Sequence, residues 1–283
     1  MAWGCSSLTL LATIAFMLCA FTSAQSSSSS SISASSSSSA WDEFSSSEVS
    51  RNERCPLECM CGPCVECSRG WNLETIKSIH KTTNCLKLRG GNISHLEPGI
   101  FRRFSIWTPR RLEVLTLEDF PLASISSGTF RGLSGLKFLR LENLSVVSIP
   151  DGTFSGLINL LMLNISNLPL VSISRGTFRG LSNLGDLWMV DLPLKSIPNG
   201  TFSGLPNLFW LNMWNLPLVS ISAGTFTGLS NLHYIRMYDL PLESIPAGTF
   251  SRLPKLNRLF MRNFPVVSIS AGAFRGLSNL KLL

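Results

Sequence analysis

The residues of this 283-residue chain best equipped for chemistry are six clustered cysteines, three histidines and a recurring set of tryptophans, tyrosines and arginines. Cys61-x-x-Cys64-x-x-Cys67 has the spacing of a metal-binding loop, with Cys55, Cys59 and Cys85 around it. No histidine lies within Cys55–Cys67; His80 falls between that cluster and Cys85, and His95 and His233 lie farther along the chain. The chain has no G-x-S-x-G, H-E-x-x-H or G-x-x-x-x-G-K-[ST] motif. Catalysis, a resident cofactor and a metal centre are therefore not expected. The aromatic and cationic set points instead to binding: Trp188, Trp210, Trp214, Tyr234, Tyr238, Phe260, Arg236, Arg258 and Arg262. Trp, Tyr and Arg are the usual anchors of protein interfaces, and flat rings also stack on sugars.

A strict period positions this set. Phe130, Phe154, Phe178, Phe202, Phe226, Phe250 and Phe274 follow one another every 24 residues, with Phe101 before them. A period in this range means stacked units that touch only their neighbours. One unit, Leu160–Asn183, reads LLMLNISNLPLVSISRGTFRGLSN, with apolar residues at places one, four, six, eleven and fourteen, then Phe178 and Leu181. The alternation of Leu163 and Ile165 is a strand signal, so each coil contributes one short strand to a parallel sheet. Gly176 and Phe178 return on the other side. Outward places line the sheet and vary as a binding face should. The third runs Val114, Phe138, Met162, Asp186, Trp210, Tyr234, Arg258; the fifth Thr116, Arg140, Asn164, Trp188, Asn212, Arg236, Phe260; the seventh Glu118, Glu142, Ser166, Val190, Trp214, Tyr238, Arg262. The aromatic patch thus falls in the later coils, flanked by His233. The alternative is that these rings only pack on one another.

The opening L-x-x-L-x-L and the later x-L-x-x-I…F-x-x-L resemble the leucine-rich repeat, over about Cys55 to Leu283. The resemblance implies an α/β solenoid: a leucine-rich repeat horseshoe with a concave parallel β-sheet, about eight coils and a disulfide-bonded N-terminal cap. An earlier coil starts at Cys85, and five extra residues before Leu112 form a loop with Trp107 and Pro109 at its tip. The chain departs from the family at place nine. The family's asparagine is replaced by Phe120, Leu144, Leu168, Leu192, Leu216, Leu240 and Phe264, and Asn or Asp stands one place earlier, from Asp119 to Asn263. The buried backbone still needs partners. Three candidates remain open: the shifted Asn/Asp column, the serine column from Ser124 to Ser268, and water. A second period alternates Ser-Ile-Ser with Ser-Ile-Pro, so the array grew by copying 48 residues at a time.

CPLECMCGPCVECS followed by TTNCLKLRGGNISHL resembles the cysteine-rich cap of extracellular leucine-rich repeat proteins. That pattern implies Cys55–Cys61 and Cys59–Cys67, and leaves Cys64 with Cys85; fifteen pairings are open without it. The expected organisation is a signal peptide over 1–24, a Ser-rich disordered linker over 25–54, the cap over 55–82 and repeats over 83–283. The apolar run Leu8–Phe21, with Thr22-Ser23-Ala24 before Gln25, is the secretory signal. The repeat stops four residues into a new coil with no second cysteine cap, so an incomplete chain is expected and membrane tethering stays open.

Sequons occur at Asn92, Asn143, Asn164 and Asn199, and glycans on the strands of earlier coils would leave the aromatic half free. The net charge of +7, with Arg102, Arg103, Arg110 and Arg111 near the inserted loop, points to heparin-like polyanions and not to nucleic acid. A solubilising face is the plainer explanation. The resulting expectation is a secreted or cell-surface glycoprotein binding an extracellular protein or glycan on its concave face, for adhesion or recognition. The alternatives are a matrix component resembling small leucine-rich proteoglycans, and a non-catalytic subunit of a secreted enzyme.

Overall fold

The structure is a computed structural model that describes residues 55–68, 70–105 and 111–282. The expectations for the signal and the Ser-rich linker, and for the loop tip at Trp107 and Pro109, lie outside these residues. The cap contributes β1 (Cys59–Cys61), β2 (Val65–Cys67) and the helix α1 (Leu73–Ser78). The first coil holds β3 (Cys85–Arg89) and β4 (His95–Leu96), the second β5 (Val114–Phe120) and β6 (Ser124–Ile125). Later coils give β7 (Phe138–Leu144), β8 (Met162–Ser166), β9 (Asp186–Val190), β10 (Trp210–Trp214) and β11 (Tyr234–Tyr238). The last are β12 (Ser244–Ile245), β13 (Arg258–Arg262) and β14 (Ser268–Ile269). One ten-stranded sheet runs β1-β2-β3-β5-β7-β8-β9-β10-β11-β13, antiparallel only between β1 and β2. Among the described residues no helix is long and apolar enough to cross a membrane.

Register follows the period. From β5 onward each residue pairs with the one 24 later, as Trp210 does with Tyr234. Cys85 pairs with Val114 instead, a step of 29, so the five extra residues are absorbed without disturbing the sheet. Inward leucines merge into one continuous core from cap to last coil. The phenylalanines form a spine of near-parallel rings with centroids 5.6–6.4 Å apart. Strands in a sheet stand only ~4.8 Å apart. Coils that are wider at the phenylalanines than at the strands must curve, with the sheet on the concave side. The returns are turns, and among the described residues the only α-helix is α1. The repeat array is thus a β-solenoid, and among the described residues the α-helical part of the expected α/β fold is confined to the cap. Tight turns set the return: Gly228 has φ +98°, and a Cβ there would come 2.5 Å from the Ser203 backbone.

The shifted Asn/Asp column has a backbone cause. Asp119, Asn143, Asn167, Asp191, Asn215, Asp239 and Asn263 all take positive φ, between 50° and 59°. Asn and Asp are the non-glycine residues that accept this left-handed conformation most readily. The first coil uses Gly90 there, φ +64°. Side chains of the column bond one another along the exposed rim: Asn143 Nδ2 to Asp119 Oδ1, 2.6 Å, and Asn215 Nδ2 to Asp191 Oδ1, 2.7 Å. Place nine then points inward, which is why it is Leu or Phe.

Inside the return, a buried threonine column supplies the backbone partners. Where the turn is Ser-Ile-Ser, Thr177 and Thr225 accept the N–H of Ser174 and Ser222 at 2.9 and 3.0 Å. Where it is Ser-Ile-Pro that N–H is missing, and Thr153, Thr201 and Thr249 donate to the proline carbonyls at 2.7–2.8 Å. The 48-residue alternation is therefore a hydrogen-bond alternation too. A third ladder runs through Asn159, Asn183, Asn207, Asn231 and Asn279, each donating to a carbonyl of the coil before. The serine column at place thirteen is mostly exposed.

The cap closes the sheet edge by pairing β2 with β3. Its disulfides are Cys55–Cys61, Cys59–Cys67 and Cys64–Cys85, so all three cysteines of the metal-like spacing are bonded to other cysteines. Trp71 covers the core end. A Cβ on Gly91 would sit 2.4 Å from its indole, and Trp71 meets Phe120 edge-on at 5.1 Å. The ring fills the interior position that Gly91 leaves empty.

Candidate ligand-binding surface

The concave rows begin in the cap. The Cys64–Cys85 disulfide lies on this face with Val114 and Phe138 packed beside it, outside the main core. Earlier strands carry charges in pairs: Lys87 with Glu66, Arg89 with Glu118 and Asp119, Lys137 with Glu113, and Arg140 with Glu142. Exposed pairs of this kind contribute ~0.2–1 kcal/mol each. Their larger effect is to leave this half near neutral.

The later strands are built differently. Trp188, Trp210, Trp214, Tyr234, Tyr238, Phe260, Arg236, Arg258 and Arg262 occupy outward places of the four adjacent strands β9, β10, β11 and β13, in register. Trp210 stacks on Tyr234 with centroids 3.8 Å apart and planes 7° from parallel. The Arg236 guanidinium lies between the Trp210 and Phe260 rings, 5.2 and 5.8 Å from their centroids, and Arg258 lies 5.5 Å over Tyr234. Trp214 meets Tyr238 edge-on and donates its indole N–H to Asp239 at 2.7 Å. His233 stacks on Phe209 at 4.2 Å. The rings therefore do pack on one another, yet they form one surface lattice outside the core, with Arg258 and Arg262 exposed at its edge.

Packing also closes part of the face. At outward places Asn164, Ser166, Asp186, Asn212 and Tyr234 are only 5, 7, 9, 4 and 8 % exposed.

 Tyr234 is buried by the Trp210 ring and the Arg258 cation stacked on it; the other four are short side chains beside larger neighbours that cover them, Trp188 being the cross-strand neighbour of both Asn164 and Asn212.

Asp186 accepts a hydrogen bond from Asn212 Nδ2 at 3.0 Å, and the Trp188 indole N–H faces it without closing a bond of normal geometry. Burial pushes its carboxyl from 3.8 up to about 7, against the opposing pull of Trp188, Arg236 and Asn212.

The sequons divide by place. Asn92, Asn143 and Asn199 are exposed, Asn143 on the rim within the Asn/Asp ladder and Asn199 on the return, where it accepts from Ser222. Asn164 is buried on β8. Arg102 and Arg103 form a single 3-10 turn, and Arg103 lines a shallow cleft with Lys77, Lys81 and Glu97. Arg110 lies outside the described residues. Sequence reasoning missed the threonine column, Trp71 and the buried polar places. The 24-residue recurrence of Thr was legible; the burial was not.

Residues 139–191 match the family described as Leucine rich repeat, and residues 195–283 match the BspA type Leucine rich repeat region (6 copies). No match was found among curated proteins. Among solved structures, a chain of the TLR13–ssRNA13 complex is similar, with 26% identity and a TM-score of 0.67. The match covers 76% of this chain and 30% of that one, so this chain spans under a third of its neighbour's length. Repeat period, stacked register and family matches agree, and the chain is a leucine-rich repeat protein.

Proposed function

We propose that the chain is a secreted or cell-surface glycoprotein that binds an extracellular ligand, a protein or a glycan, on the concave sheet of its later coils, for adhesion or recognition. The observation that carries this reading is the aromatic and arginine lattice, held in register across four adjacent strands. Its cation Arg258 stands over the Tyr234 ring and Arg262 is the cross-strand neighbour of Tyr238, while the earlier half pairs its charges internally. The exposed sequons Asn92, Asn143 and Asn199 lie off these four strands, and the cap's disulfides suit an oxidising compartment. The similar solved chain is titled as a complex with single-stranded RNA. Nucleic acid is not the ligand proposed here, because a phosphate strand needs a continuous line of unpaired cations.

The test compares wild type with Trp210→Ser/Trp214→Ser for saturable capture of matrix and cell-surface components. Capture lost in the double variant, and kept in Arg102→Ser/Arg103→Ser, is the expected outcome; capture unchanged by loss of both tryptophans defeats the reading.

A second reading, a matrix component acting through polyanions, is favoured by the cleft of Lys77, Lys81 and Arg103. Strong heparin retention abolished by replacing Arg102, Arg103, Arg110 and Arg111 together would select it.

A further inference from the structure

The floor of the concave face across β8, β9 and β10 includes short polar side chains whose atoms are in part unpartnered. Asn164 Oδ1, Ser166 Oγ and Asn212 Oδ1 are buried and have no hydrogen-bond partner, on residues more than nine-tenths buried. Buried polar atoms normally find partners, and an apolar residue of similar size would avoid the cost of leaving them unpaired. The inward columns of these same strands are apolar throughout, so the polarity is confined to the ligand-facing side. Asn164, Trp188 and Asn212 are cross-strand neighbours in one row, and Ser166 lies two residues along from Asn164. Trp188 lies between Asn164 and Asn212 in that row and covers them, and Trp210 and Trp214 flank Asn212 along β10 as aromatic walls.

We propose, building on the concave-face reading above, that this floor binds an acidic oligosaccharide. With the Trp188 indole turned off the floor, the oligosaccharide's hydroxyls donate to Asn164 Oδ1 and Asn212 Oδ1 and bond Ser166 Oγ. A sugar ring lays its C–H face on a tryptophan wall. Its carboxylate or sulfate groups pair with Arg258 and Arg262.

The atoms on the floor favour this class. A hydroxyl both donates and accepts, so it satisfies amide oxygens and a hydroxyl alike. An anionic group placed on the floor would set acceptor against acceptor, so charge belongs at the arginine end. An apolar peptide anchor would cover the orphaned atoms without satisfying them. From β8 to β13 is four strand steps, about 19 Å at ~4.8 Å each, a span for several linked sugars and not for one.

The experiment titrates the full chain, N-glycans enzymatically removed, with hexasaccharides of hyaluronan, heparin and chitin, read by tryptophan fluorescence and calorimetry. An acidic hexasaccharide is expected to bind more tightly than the neutral one. Asn164→Leu/Ser166→Ala removes two of the three orphaned atoms and is expected to weaken that binding at least tenfold, with melting temperature unchanged or raised. Arg258→Gln/Arg262→Gln is expected to weaken it and flatten its salt dependence. Binding indifferent to both variants, or a glycan found on Asn164 by peptide mapping, overturns the proposal. Protein capture that depends on Trp210 and Trp214, with no hexasaccharide bound, overturns it while leaving the concave docking reading in place.

Discussion

Asp186 shows how a residue on a binding face can work against the fold. Its neutral form is favoured by burial, so its folded pKa of about 7 lies above the ordinary 3.8. The sign follows: the stabilising contribution is complete below the unfolded value, and is lost as pH rises through the folded one. Wild type should therefore lose stability between about pH 4 and pH 7 through this group. Asp186→Asn keeps an acceptor for Asn212 and removes the titration. Melting curves from pH 5 to 8 should show the variant gaining on wild type as pH rises; parallel curves would exclude the effect. The row places of Asp186, Trp188 and Trp210 were legible in the sequence, because strand alternation assigns each residue a face. The burial of Asp186, Asn164 and Asn212 was not, because it depends on the size of the residue 24 positions away, across the sheet.

At the scale of the element, each strand ends in one left-handed residue. Moving an L-residue into this conformation costs roughly 1–2 kcal/mol unless it is Gly, Asn or Asp. Asn215→Val should thus destabilise by about that amount, while Asn215→Gly should stay within about 0.5 kcal/mol, as judged by chemical denaturation. Equal losses would show that the side-chain ladder, and not the backbone angle, selects the residue. The column itself was plain in the sequence, but its cause was not, since φ is invisible there. The same holds for the alternation of Ser-Ile-Ser and Ser-Ile-Pro. The repeat was readable, but the reversal of threonine's hydrogen bond emerged only with Thr177 and Thr201 in place. Trp71 was hidden for another reason: it fills a space vacated by Gly91, and nothing in the repeat columns points from one to the other.

The whole molecule divides its concave sheet into two chemistries. Internally paired charges occupy the coils next to the cap, and aromatic rings with arginines occupy the later ones. The 24-residue register makes this division possible, because each substitution at an outward place adds to a row without disturbing the leucines beneath. The central claim is that a ligand covers the later rows. Hydroxyl-radical footprinting, with and without the acidic hexasaccharide or a captured partner, tests it most directly. Oxidation of Trp188, Trp210, Trp214 and Tyr238 should fall on binding, while exposed Met60 in the cap keeps the reactivity it has without ligand. Undiminished oxidation of all four rings, with protection appearing at Met60 or along the returns, would contradict the account.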